Sequence, residues 1–363
     1  GDEGGTMIPE DVLRGRKADH IRIALSPDSQ HPYNFWDDIR FIHNPIPEAD
    51  LEEIDLEVEV LGRRLSAPVI IGCMTGGFEG GRRINEVLAE VASELGLGMC
   101  VGSQRAALED PSLRGTFSVV ADYDIPLRIA NIGGPQLAMG KVGPEQARQL
   151  VDMIDGHALA VHLNYAQEVV QPEGETRARG LMSALRRLVE EADFPIIVKE
   201  TGCGIDGVTA KKLSKMGVAA VDVGGAGGTS FTAIEAVRAR EAGNDLKALV
   251  GESFADWGIP APLSVYLSSR YLDTIASGGI RNGVDVARAL ALGAEAASMA
   301  RAFLLRAVKG KEETLTFARS VVEELRAVVF LTGNSTLEDL DEDEIVVLGR
   351  TKEWFEAMDE EWW

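Results

Sequence analysis

Short, continuous apolar runs recur along the chain at a regular beat. Each is followed by a stretch in which apolar residues return every three or four positions. The runs cover residues 68–72, 98–101, 127–130, 158–162, 196–199, 220–223, 272–276 and 296–299. They are too short and too uniformly apolar for amphipathic helices, and read as strands buried on both faces. Helical patterns lie between them, at 82–95, 144–154, 177–192, 208–216 and 284–292. Strands alternating with helices pair in parallel through right-handed crossovers. Eight such repeats predict a closed (β/α)8 TIM barrel, with an open doubly wound sheet as the alternative.

The flanks divide the chain into an N-terminal extension, 1–65, a barrel, 66–350, and a C-terminal tail, 351–363. Residues 1–6 are unlike the rest and are expected to precede a natural start at Met7. Ile54, Leu56, Val58 and Val60 alternate with acidic residues and predict a capping strand. Residues 244–271, with Trp257, Pro260 and Pro262, form an insertion expected to cover the site or meet another subunit. A helix over 314–330 should complete the barrel, and the acidic run 337–344 reads as a solvated segment.

Composition narrows the picture. Hydrophobic residues make up 45% of the 363 residues but aromatics only 6%, so the core should be large, aliphatic and packed with Ala and Gly. The formal net charge of −22 argues against nucleic acid, which needs a basic footprint. It also repels small anions, so any phosphate site must be a local arrangement set against the general field. No apolar run approaches a membrane span, and the opening residues carry no secretory pattern. Cys73, Cys100 and Cys203 are odd in number and lack CxxC spacing. They are expected to be free thiols in a reducing, cytoplasmic setting.

A barrel gathers its chemistry at the carboxyl ends of its strands, and those ends are polar and Gly-rich here. They read Gly72-Cys-Met-Thr-Gly-Gly77, Gly102-Ser-Gln-Arg105, Asn131-Ile-Gly-Gly134, Lys199-Glu-Thr-Gly-Cys-Gly204 and Gly224-Gly-Ala-Gly-Gly-Thr-Ser230. Strand seven ends in Ser277-Gly-Gly-Ile-Arg-Asn-Gly283 and strand eight in Ala300-Arg301. Backbone amides of Gly-rich loops at helix starts bind phosphate, and barrels favour the seventh and eighth loops for it. The phosphate of a flavin mononucleotide (FMN) fits best. After strand four, His162, Asn164, Gln167 and Glu168 fall within seven residues. Alternation sends His162 and Asn164 to one face before the chain turns. Such a set suits an anionic ligand with a hard cation, the alternative being a solvated loop. Lys199 could stabilise negative charge on a reduced flavin, or pair with Glu168 or Glu200. Arg16 and Lys17 read equally as a solvated helix start.

Taken together these residues resemble the type 2 isopentenyl-diphosphate isomerases, FMN-dependent barrel enzymes, over nearly the whole chain. The matching pieces are Arg16-Lys17-x-Asp-His20, Met74-Thr-Gly-Gly77, Ser103-Gln-Arg105, Asn131-Ile-Gly-Gly134, His162-Leu-Asn-x-x-Gln-Glu168, Val198-Lys-Glu200, Gly225-Ala-Gly-Gly-Thr-Ser230 and Ser277-Gly-Gly-Ile-Arg281. The resemblance implies a 1,3-proton shift between isopentenyl and dimethylallyl diphosphate in isoprenoid biosynthesis, with reduced FMN, Mg²⁺ and NAD(P)H as reductant. It implies that Cys73, Met74, Thr75, Ser103, Asn131, Lys199 and Thr229 line the flavin. Gly279, Ile280, Arg281, Ala300 and Arg301 would hold its phosphate. Arg16, Lys17, Ser103, Gln104, Arg105, His162, Asn164 and Gln167 would bind the diphosphate substrate, His162 better as imidazolium. Gln167 would position or relay the second proton, and Glu168 would ligate Mg²⁺. The N-terminal Arg-Lys segment would be mobile until substrate binds. Family members are commonly tetramers or octamers, so a homo-oligomer is expected. The family pattern often has Ser where this chain has Gly224, so a hydroxyl contact to the flavin should be absent or replaced by backbone or water.

Two rivals share the flavin loop. An FMN-dependent 2-hydroxy-acid oxidoreductase needs a His base after a late strand, whereas all five histidines (20, 31, 43, 157 and 162) lie at or before strand four. A non-catalytic flavin-binding sensor has no need of Glu168 beside Gln167, Asn164 and His162.

Overall fold

In the computed structural model, eight parallel strands close into a barrel. The described residues are 16–358, and of Arg16, Lys17 and Ala18 only the backbone is described. Strands β1 (Ile39–Phe41), β2 (Val58–Val60) and β3 (Arg63–Leu65) precede the barrel. The barrel strands are β4 (Val69–Ile71), β5 (Gly98–Cys100), β6 (Leu127–Gly133), β7 (Ala158–Leu163), β8 (Ile196–Glu200), β9 (Ala220–Asp222), β10 (Asp273–Ala276) and β11 (Ala296–Met299). All eight fall on the expected apolar runs. Pairing of β11 with β4, Ala297 to Val69 through Met299 to Ile71, closes the ring and excludes the open sheet. The third strand runs on past the apolar stretch to take in Asn131 and Gly133, held by β7.

Alternation along the strands sorts the core into two layers. Ile70, Cys100, Ile129, Ala160, Ile197 and Ile275 fill the barrel interior. Val69, Ile71, Leu159, Val161, Ile196 and Val198 point out to the ring of helices. The interior is stopped at its lower end by the antiparallel hairpin β2–β3, through Val60 and Leu65. The expected alternation of Ile54, Leu56 and Val60 is present as burial, but only Val58–Val60 is a strand.

The chain's two flanks hold each other. β1 pairs antiparallel with β12 (Ile345–Val347) just after the acidic run. The C-terminal segment contains a helix, Gly349–Ala357. Its Thr351 is fully buried, donates its N–H to Asp38 Oδ2 at 2.9 Å and sets its hydroxyl within 2.9 Å of both that carboxylate and the Phe35 carbonyl, and so fixes the helix to the extension. The insertion forms two helices, Asp245–Ser253 and Ala261–Ser269. No helix among the described residues is long and apolar enough to cross a membrane.

The helix after β10, Gly283–Ala291, lies directly on the long helix Lys311–Leu331. A Cβ on Gly283 would stand 2.1 Å from the Val321 carbonyl oxygen, so the two backbones meet where only glycine fits. Replacing Gly283 with Ala should cost about 3 kcal/mol of stability by forcing the helices apart. A urea midpoint unchanged from wild type would show that the contact is not tight.

Candidate active site

A cavity of about 500 Å³ opens above the barrel, at the carboxyl ends of the strands. Cys73, Met74, Thr75, Ser103, Asn131, Lys199, Thr229, Gly279, Ile280, Arg281, Ala300 and Arg301 all line it. So do His162, Asn164 and Gln167. Sequence order had spread these residues over all eight strand exits, and barrel closure brings them round one space.

Three of the cationic groups are already engaged. Lys199 Nζ lies 2.9 Å from Asp222 Oδ1, not against Glu168 or Glu200. Ser277 Oγ also donates to Asp222, while accepting the Gly224 N–H at 2.9 Å. Arg281 binds Asp37 at 2.6 Å and Asp285 at 3.0 Å, which turns its guanidinium towards the extension. Arg301 donates to the carbonyls of Ala24 at 2.8 Å and Leu25 at 3.1 Å, at the end of helix α1 (Arg16–Leu25). Its positive charge suits the negative end of that helix.

Phosphate-binding capacity therefore rests on backbone amides. Trp36 Nε1 donates to the Gly278 carbonyl and Asn34 Nδ2 to the Gly279 carbonyl, both at 2.8 Å. In planar trans peptides the N–H groups of Gly279 and Ile280 then point the opposite way. Among the described residues they meet no protein acceptor. Asn164 Oδ1, buried in the cavity wall, is likewise without a hydrogen-bond partner. Orphaned buried polar atoms are costly and mark a place for a ligand. A flavin mononucleotide fits these features: a cleft of suitable size, free amides at the β10 exit, and Lys199 and Asn131 along one wall. Gly224 has φ +44°, and a Cβ there would stand 1.9 Å from the Glu200 carbonyl oxygen, so a serine is not accommodated. The Ser277 hydroxyl meets its N–H instead.

The cluster after β7 is tightly cross-linked. Asn164 donates to Glu168 at 2.8 Å and to Gln167 at 3.2 Å. Glu168 also accepts the Glu175 N–H at 2.6 Å, and it sits at the cluster's edge rather than among the lining residues. Gln167 donates to Glu235 at 2.8 Å. His162 Nδ1 contacts Asn131 Oδ1 at 2.8 Å, while the Asn131 amide nitrogen donates to the Val101 carbonyl at 3.1 Å. That amide orientation makes Nδ1 the donor and leaves Nε2 as an acceptor. Burial, and then the Lys199 charge, pull the ring's pKa from 6.5 down to about 4. In the ligand-free site His162 is therefore held in its neutral form.

Two expected substrate residues are not brought in. Gln104 is fully buried, donating to the Leu150 carbonyl and accepting the Asn131 N–H, each at 2.9 Å. It braces β6 from behind and does not face the cavity. Arg105 stands outside, on the exposed helix Arg105–Glu109, paired with Glu109 at 2.9 Å. The side chains of Arg16 and Lys17 lie outside the described residues. Their helix is anchored at its other end by Arg301, by Arg22 to Glu241 at 2.7 Å, and by His20 to Glu235 at 2.9 Å.

Sequence reasoning missed His20 as a cavity residue, Glu235 beneath it, and Asp222. Glu235 is completely buried in the helix Phe231–Glu241 and receives His20, Gln167 and Arg238 together. Burial alone would raise its pKa, but His20, Gln167 and Arg238 outweigh it and keep the carboxylate ionised. A charged residue in an otherwise plain helical pattern gave no signal. Asp222 had one: an acid inside the apolar run Val221-Asp-Val223. His20 had a signal only as the last residue of the Arg16–His20 motif; α1 brings it, with Ile21 and Ala24, to the cavity wall.

A family model described as FMN-dependent dehydrogenase matches residues 136–347. The isopentenyl-diphosphate delta-isomerase of Ignicoccus hospitalis is 44% identical over 353 residues, covering 96% of this chain and 98% of its own. That of Thermoplasma acidophilum is 43% identical, covering 95% and 100%. Among solved structures, a double variant of flavocytochrome b2 with sulfite bound superposes with a TM-score of 0.65 at 15% identity, over 90% of this chain and 82% of that one. A mandelate oxidase variant with (S)-mandelic acid gives 0.62 at 15% identity, over 93% and 95%. At that identity the structural likeness speaks for the barrel fold alone.

The neutral His162 has a measurable signature. An unfolded His takes up a proton near pH 6.5, whereas the folded ring resists until about pH 4. Between those values the unfolded state binds more protons, so stability falls with acid. The contribution should be complete above about pH 6.5 and lost as pH falls towards 4. Histidine NMR on ligand-free protein should show one ring titrating near the lower value, assigned by loss in His162→Gln. A ring with an ordinary midpoint would overturn the neutral assignment.

Proposed function

The chain belongs to the isopentenyl-diphosphate delta-isomerases, and on that premise we propose that FMN fills the cavity above the barrel while the cluster after β7 takes the substrate's diphosphate. The enzyme interconverts isopentenyl and dimethylallyl diphosphate, moving a double bond by one proton added and one removed, with no net electron transfer. The observation that carries the site assignment is the orphaned acceptor of Asn164 and the free amides of Gly279 and Ile280 opening into one cavity.

Bound in its reduced form, the flavin supplies the acid–base chemistry at the alkene. The chain's own residues do the rest. Lys199, held by Asp222, places positive charge beside the flavin without swinging into the substrate's space. Gln167 is clamped between Asn164 and Glu235, so its amide holds one orientation over the cavity. An amide is a feeble acid or base, and a fixed one serves best to orient a proton or a water. The ionised Glu235 beneath it favours positive charge developing nearby, as protonation of an alkene requires. Glu168, oriented by Asn164 and the Glu175 N–H, would offer one carboxylate to Mg²⁺. Among the described residues no cluster of three or more His, Cys, Asp or Glu groups could hold a metal, so diphosphate oxygens and water would complete the octahedron. His162 would hold the diphosphate after gaining a proton from solvent on binding, and Arg16, Lys17 and Arg105 would close from the rim. NAD(P)H is the proposed reductant and the cytoplasm the proposed location. Exposed Leu246, Leu249 and Trp257 on the insertion offer an apolar face for a homo-oligomer contact.

Holoprotein should turn over isopentenyl diphosphate only after the flavin is reduced, by NAD(P)H or dithionite, and equal activity of flavin-free protein would sink the reading. Glu168→Gln keeps the shape but removes charge, so it should abolish most of the Mg²⁺-dependent rate while FMN affinity stays near wild type. Collapse of flavin occupancy with an unchanged Mg²⁺ response would mean that Glu168 serves the flavin.

Gln167→Asn withdraws the amide by about 1.5 Å, one bond length, and a displacement of this size costs on the order of 100-fold in rate. The Asn164 and His162 contacts remain, so kcat should fall much further than the dissociation constant rises. Unchanged kcat with sharply weaker binding would make Gln167 a binding residue only.

A further inference from the structure

The cavity has a floor that isomerisation does not use. Contrary to the expectation of three free thiols, Cys73 and Cys100 form a disulfide, with Cα atoms 4.6 Å apart and a sequence separation of 27. Cys100 ends β5 on its inward face and is 3% exposed among the residues of the barrel interior. Cys73 lies just past β4, packs on that same interior and lines the flavin cavity. The bond thus joins two adjacent strand exits, reachable from above through the cavity and walled elsewhere by Ile70 and Ile129. Any soluble reductant must enter by the route the flavin occupies. The remaining cysteine, Cys203, is part-buried in a different loop, and its thiol is pushed up to about 12 by burial and then by Glu200. It is a poor exchange partner, since the thiolate is the attacking form.

We propose that Cys73–Cys100 is a second two-electron redox site of this protein, opened and closed through the flavin in the cavity above it. In the opening direction a dihydroflavin gives two electrons and two protons to the disulfide. The S–S bond breaks, each sulfur gains a proton, and the flavin is left oxidised. The closing direction is the reverse, so atoms and electrons balance with no further reactant. Isomerisation returns every electron to the flavin, so a disulfide at the cavity floor is the one drain for them inside the described protein. Reducing power delivered to the flavin would then be shared with this bond. The proposal rests on FMN occupying the cavity, but not on the identity of the isoprenoid substrate.

The test is a thiol count without substrate. Air-oxidised holoprotein, acid-quenched, denatured and alkylated, should show one free cysteine of three by mass. After anaerobic incubation with excess dithionite it should show all three, whereas flavin-free protein under identical conditions should stay at one. Stoichiometric reduction of wild-type holoprotein should consume twice the electrons per flavin that Cys100→Ala consumes. Three free thiols at the start, a bond that stays closed after the flavin is fully bleached, or equally fast opening without flavin would each overturn the proposal. Because the readout is mass and electron count, failure of isomerase turnover leaves it standing, and normal turnover cannot rescue it.

Discussion

A closed ring of eight short strands leaves an interior that only its own side chains can fill. The positions facing inwards are accordingly Ile, Leu, Ala and Cys, and the hairpin residues Val60 and Leu65 stop the lower end. No charged group can be placed in that interior without a partner, since burial of a lone charge is prohibitive. Lys199 and Asp222 are the first charges above it, and they come as a pair. Everything chemical is thereby confined to one rim, which is also the only end not stoppered. The site exists where it does because the barrel has no other room for polar atoms.

The same constraint explains what could be read from sequence. Strands buried on both faces must be continuously apolar, so all eight were legible, and their polar exits named most of the cavity lining. The signal failed wherever a residue's role is set by a distant partner. Gln104 reads as a loop residue among Ser103 and Arg105, but the chain turns so that its amide spans to Leu150 and Asn131. Glu235 sits in a helix whose pattern is nearly uniform, and only the approach of α1 and the β7 loop makes it a hub. The pairing of β1 with β12 joins the two ends of the chain, and no local pattern encodes such a contact. The disulfide was hidden for a similar reason. Spacing of 27 residues looks random in sequence, although one βα unit carries the chain from one strand exit to the next.

The extension is more than a cap. Its Trp36 and Asn34 hold the carbonyls of the β10 loop, its Asp37 takes the Arg281 guanidinium, and α1 is held by Arg301 from the exit of β11. The elements that would grip a flavin phosphate are thus the elements that fasten the extension. Through His20 and Glu235 the same helix reaches Gln167. Orientation of the proposed proton-handling amide is therefore coupled to the docking of helix α1.

This wiring bears on how a chain of net charge −22 could attract a diphosphate. Two of the cavity's cations are held by carboxylates, Lys199 by Asp222 and Arg281 by Asp37 and Asp285, whereas Arg301 meets backbone carbonyls. Such pairs keep the empty site rigid, but breaking one to seize an anion would strand a buried carboxylate, at a cost of about 3–5 kcal/mol. The Arg105–Glu109 pair is different. Both side chains are about half exposed, and an exposed pair of this kind is worth no more than about 1 kcal/mol. Arg105 could exchange Glu109 for a diphosphate at almost no loss, which suits the substrate role proposed for it. Exchangeable charge at the edge and committed charge within would form a division of labour. In the proposed site the exposed cation would draw the anion in, and His162, once protonated, would help to hold it.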